Sequence, residues 1–91
     1  MLISDAAVNL LLQKEDIEGL LAVGAPNDEY SSEADEIATV VSKLNPDQFN
    51  QDNIAAIISL LWMKSFELGE LEIALRMPGI NRVAKLIAQM K

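Results

Sequence analysis

Carboxylates are the main chemical resource of this chain. Its 91 residues include 14 Asp and Glu, no His and no Cys. Glu33 and Glu36 stand three apart, as do Glu67 and Glu70, and on a helix that spacing puts both acids of a pair on one face. Two such pairs on facing helices would supply oxygen ligands of the kind Mg²⁺ takes alongside substrate phosphates. The routes that depend on Cys or His are closed by residue type. Without Cys or His there is no thiolate or imidazole zinc site, no disulfide and no His-activated serine or cysteine nucleophile. Ser31 and Ser32 have no base beside them and read as helix caps.

Each carboxylate arrangement meets an objection. The four-glutamate pattern is similar to the magnesium site of all-α nucleoside triphosphate pyrophosphohydrolases. There the acids lie well inside helices, whereas Glu70 follows Gly69, a helix stop, and no basic residue stands nearby to hold phosphate. Asp28 to Glu36 lacks the alternating ligands and central Gly of a Ca²⁺ loop. An acyl carrier would need Asp-Ser-Leu at a helix start, and Tyr30-Ser31-Ser32-Glu33 does not provide it. The expectation is therefore no catalytic residue, no metal and no cofactor, with Mg²⁺-dependent hydrolysis through Glu33, Glu36, Glu67 and Glu70 as the alternative.

The elements that position these groups are helices. Ala7, Val8, Leu11 and Leu12 share a face over 4–14, with Ser4 or Asp5 as N-cap. A helical turn near Ile17 to Leu21 leads into an ordered loop, where Gly24 suits a C′ position and Pro26 blocks continuation. Ala34, Ile37, Ala38, Val41 and Leu44 mark a second helix over 32–44, capped by Ser32. Its first-turn acids complement the helix dipole. A third helix over 51–68 is apolar on two sides: Ile54, Ile57, Ile58 and Leu61 on one, Ala55, Trp62 and Phe66 on the other. Such a helix is central or partner-covered. Leu71, Ile73 and Leu75 alternate like a strand, but a lone strand has no mate, so 70–77 should be irregular or helical. A last helix over 78–90 turns Ile80, Val83, Ala84 and Ile87 inward. The prediction is all-α: one domain over 1–91, a compact bundle of about four helices with an ordered Gly/Pro-containing acidic loop between the first two.

Charge and apolar content point to contacts rather than catalysis. Net charge is −7 and the pI about 4.3, which disfavours binding to a phosphate backbone. Residues 1–72 hold all 14 acids and three lysines, for −11, and residues 73–91 hold +4. Five acids fall within 28–36. They form either a solvated helix start or a docking surface for a basic partner. Half the residues are hydrophobic, at 51%, yet a domain this small has little interior. Self-association would bury the excess, with Ala55, Ser59, Trp62 and Phe66 at a homodimer interface, helped by Leu10 or Leu86. The competing reading keeps Trp62 and Phe66 in the core. The longest apolar-rich run, 54–63, is half of what a membrane span needs. An acid rather than a basic run opens the chain, so no signal peptide is expected. Together with the absence of Cys, this reads as a soluble cytoplasmic protein with no membrane partner.

The segment Ile17-Glu18-Gly19-Leu20-Leu21-Ala22-Val23-Gly24-Ala25-Pro26-Asn27-Asp28-Glu29-Tyr30, continuing through Glu33 to Ile37, resembles the YugE-like family of small bacterial helical proteins. The shared pattern is Gly-Leu, Gly-Ala-Pro, Asp-Glu-Tyr, then an acid and an Ile on the next helix, over about 20 residues. The family's Trp-Asp-Pro before the Gly-Leu step is reduced here to the Asp of Glu15-Asp16-Ile17. The resemblance implies an all-α fold and no known activity, and it singles out Gly24, Pro26, Asp28, Glu29 and Tyr30. Gly24 and Pro26 would fix the turn, Tyr30 would pack beneath it, and Asp28 and Glu29 would cap backbone N–H groups. The expected function is non-enzymatic: protein–protein contact of an immunity, antitoxin-like or adaptor kind with an unidentified protein. Asp28, Glu29, Tyr30, Glu33 and Trp62 are its candidate binding residues.

Overall fold

A computed structural model describes residues 2–26 and 28–90. Asn27 of the loop motif and Lys91 of the basic tail lie outside them. Four helices follow one another: α1 Asp5–Glu15, α2 Ser31–Val41, α3 Gln51–Phe66 and α4 Glu70–Ala88, with no strand among the described residues. The chain is an all-α bundle in which α3 packs on both α2 and α4, while α1 packs on α2 and α4.

Local chemistry explains most of the boundaries. Ser4 Oγ accepts from Ala7 N–H at 3.3 Å, and Asn50 Oδ1 accepts from Asn53 N–H at 2.9 Å, which caps α1 and α3. Helix α1 closes on Asp16 in the left-handed region, φ 48°, a conformation that Asp tolerates better than most residues. Glu67, φ 53°, closes α3 the same way, so the stop precedes Gly69. Gly69 instead opens α4, its N–H donating to Glu72 Oε1 at 3.2 Å. Ser31 and Ser32 are not caps: α2 starts at Ser31, its N-cap is Tyr30, and no side chain caps it. The stretch after α1 forms successive turns rather than a helical turn, with Gly19 at φ 70° and Gly24 at φ 102°. Both angles favour glycine.

Residues 70–77 take the helical one of their two expected forms, and the last helix begins at Glu70 rather than near Pro78. They are helical and continuous with the last helix, and Pro78 lies inside α4. Pro78 removes one intrahelical N–H, but it is exposed, where water can satisfy the freed Ala74 carbonyl. The apolar series Ile73, Met77, Ile80, Ala84 and Ile87 keeps helical spacing across it and packs on or into the core. Leu71 and Leu75, which made the stretch look strand-like, point outward at 85% and 76% exposure. Gly79 brings α4 close to the end of α1: a Cβ there would stand 3.2 Å from Glu15 Oε1 and 3.4 Å from Ile17 Cγ1.

The core gathers Val8 and Leu12 from α1, Ala34, Ile37, Ala38 and Val41 from α2, Ile54, Ala55, Ile58 and Trp62 from α3, and Ile80, Val83, Ala84 and Ile87 from α4. Tyr30 and Phe49 enter from the connections. The two apolar sides of α3 are thus taken up largely inside the monomer. The register of α4 has a direct test. Ile80→Ala should cost about 2–4 kcal/mol by leaving a cavity, and Leu75→Ala less than about 0.5 kcal/mol. Urea unfolding measures both, and equal losses would contradict this register.

Candidate functional site

The loop between α1 and α2 is built around two carboxylates. The Asp16 carboxylate accepts from the Tyr30 hydroxyl at 2.7 Å and from the N–H groups of Leu21 and Ala22 at 3.1 and 3.0 Å. Glu18 N–H donates to the Tyr30 hydroxyl oxygen at 3.2 Å. The Glu18 carboxylate accepts from Trp62 Nε1 at 2.7 Å and from Arg76 Nε and Nη2 at 3.0 and 3.2 Å. One side chain therefore joins the loop to α3 and α4. Burial opposes ionisation of Asp16, but the Tyr30 hydroxyl and the N–H groups of Leu21, Ala22 and Leu20 outweigh it and hold its carboxyl below the usual range. Burial, then the bond to Asp16, pushes the Tyr30 hydroxyl up to about 12, so it stays a neutral donor.

Beneath these bonds Tyr30 stacks on Trp62 with centroids 5.7 Å apart, and Phe66 lies 4.8 Å from Trp62 and 6.4 Å from Tyr30. Such contacts add to the apolar burial itself. Tyr30 packs under the turn as the motif implied. Trp62 is fully buried and Ala55 nearly so, which corrects the expected homodimer interface: Trp62 is a core residue and cannot anchor a surface contact.

The five candidate binding residues separate accordingly. Tyr30 and Trp62 are brought together, but inside the protein. Asp28 and Glu29 are exposed, and the loop N–H groups they were expected to cap are capped by Asp16. Glu33 is buried at 9% exposure. Together with Asp35 and Glu36, both exposed, Asp28 and Glu29 make a solvent-facing acidic edge at the start of α2. This edge does not meet the basic last helix. Arg76 pairs with Glu18, and Arg82 with Glu15, its Nε 2.9 Å from Oε1.

No group of three or more Asp or Glu is arranged to hold a metal ion among the described residues, so Glu33, Glu36, Glu67 and Glu70 do not form the cluster that Mg²⁺ would need. No helix among the described residues is long and apolar enough to cross a membrane. Arg82 also belongs to a half-open groove between α1 and α4 of about 360 Å³. Sequence reasoning missed this groove; its only signal was the positive sum of residues 73–91. Comparison with known proteins adds nothing to the geometry, since no protein-family model, curated protein or solved structure matches the chain.

Glu33 gives a pH-dependent prediction. Burial raises its carboxyl above the usual glutamate range, the charges of Glu36 and Glu29 add to that, and a bond from its own backbone N–H opposes it. Below the glutamate range both folded and unfolded chains hold the proton. As pH rises the unfolded chain releases it first, so the folded state loses relative stability through this group. Glu33→Gln should have a higher Tm than the parent at pH 7, with the difference gone below about pH 4. Thermal unfolding followed by circular dichroism checks this, and a gap of the same size at both pH values would contradict it.

Proposed function

We propose that this chain is a non-enzymatic helical module of the cytoplasm that works through protein–protein contacts, as an immunity, antitoxin-like or adaptor protein. One observation carries the reading. Asp16, Glu18, Tyr30, Arg76, Glu15 and Arg82 are spent on holding the chain together, while large aliphatic side chains stay outside. Leu60, Leu71 and Leu75 on α3 and α4 and Leu10 on α1 are all largely exposed. Exposed apolar surface on a small acidic protein is a resource for association. The acidic edge at 28–36 adds long-range attraction toward a basic partner. Membership of the YugE-like family belongs to the same proposal, on the strength of the 17–37 segment. A second copy of the chain remains a proposed partner, through leucines outside the core rather than through Trp62.

Photo-cross-linking of the full chain in the cells that express it tests this reading. A cross-linking side chain is placed in turn at Glu29, Asp35, Leu75 and Leu86, all exposed. The expected result is a discrete adduct of fixed mass from at least one position. An adduct at twice the 10.0 kDa of the chain identifies a second copy. Absence of any adduct from all four positions would overturn the proposal.

A further inference from the structure

The groove between α1 and α4 has a composition unlike the rest of the surface. Leu11 and Leu86 give it an apolar lining over the buried Val83, and Lys14, Arg82 and Lys85 stand around it. In a protein of net charge −7, three of the six described basic residues meet here against one carboxylate, Glu15. Arg82 is held by Glu15. Among the described residues no carboxylate lies within salt-bridge distance of Lys14 or Lys85, so their charge is available to a ligand. The two helices run antiparallel here: Glu15 reaches Arg82 and Gly79, while Leu11 lies toward Leu86. An apolar trough between two helices with cations along it has the form that takes up the apolar face of a third helix.

Resting on the protein-contact reading above, we propose that this groove binds an acidic amphipathic helix of a partner protein. The lining on α4 runs from Arg82 to Gln89, about 10 Å at 1.5 Å per residue, which is two helical turns. The occupant then carries two or three apolar anchors at i, i+3 or i+4, and i+7, with Asp or Glu beside them for Lys14 and Lys85. A second copy of this chain does not meet the requirement through its own acidic edge. Its exposed residues are Asp28, Glu29, Ser31, Ser32, Asp35 and Glu36, and the only exposed large apolar side chain on α2 is Val40, a single anchor.

The test is an NMR titration of the full ¹⁵N-labelled chain with two designed helical peptides. Both carry leucines at i, i+4 and i+7; one has flanking glutamates, the other lysines in their place. The proposal expects the glutamate peptide to shift amides of Leu11, Lys14 and 82–89. It also expects at least ten-fold weaker binding by Lys14→Glu/Lys85→Glu. Lys85→Gln, a smaller change at an exposed position, gives the same comparison with a smaller loss should the double variant fail to fold. Lack of groove shifts at millimolar peptide, or equal binding of the lysine peptide, would overturn it. Dodecanoate forms a third arm: saturation of the groove by dodecanoate but not by the glutamate peptide would assign the site to a small anionic amphiphile and also overturn it. Failure here with adducts still formed at Glu29, Asp35 or Leu75 removes only the groove. Absence of adducts at every position removes the broader reading too.

Discussion

The Glu18 carboxylate is the point on which the arrangement of this protein turns. It takes the indole N–H of Trp62 and two N–H groups of Arg76, so a single short loop is fastened to α3 and α4 at once. Both partners need it. A buried indole N–H without an acceptor is costly, and the part-buried Arg76 guanidinium is matched by the anion. Asp16 plays the matching part on the other side of the loop. It closes α1 in a left-handed conformation, caps two loop N–H groups and holds the Tyr30 hydroxyl. With both ends of Tyr30 fixed, its ring can only lie on Trp62. The loop is thus a structural bracket, in which Asp16 and Glu18 serve the fold.

This division of labour shapes the surface. Acids that meet the last helix, Glu15 and Glu18, are neutralised there by Arg82 and Arg76. The acids at 28–36 stay outside that pairing, so the molecule keeps an acidic edge at α2 and a cationic, apolar-lined groove at α1 and α4. On the proposed reading, the two regions would favour partners of opposite sign.

The helical content was readable because apolar spacing repeats over several turns in each element. Every apolar residue expected inside on the second and last helices is buried, Leu44 partly so. At 70–77 a three-residue alternation, Leu71, Ile73 and Leu75, competed with a longer period that shows only when the window extends through Pro78 to Ile87. Apolar spacing puts Trp62 on its correct helix face, but periodicity alone does not say what covers a face, and here Tyr30 and Glu18 do. The Glu18–Arg76 pair spans 58 residues, and no local pattern specifies a contact between positions so far apart. The same holds for the groove, which joins residues of α1 to residues of α4 and exists only once Gly79 has brought the helices together.

Glu18 couples the loop to α3 and α4 rather than merely lying near them. A double-mutant cycle between Glu18→Ala and Arg76→Ala, read by urea unfolding, tests it most directly. A coupling energy of at least about 1 kcal/mol is predicted for two groups sharing hydrogen bonds. Losses that add to within about 0.3 kcal/mol would show two independent side chains and contradict the account.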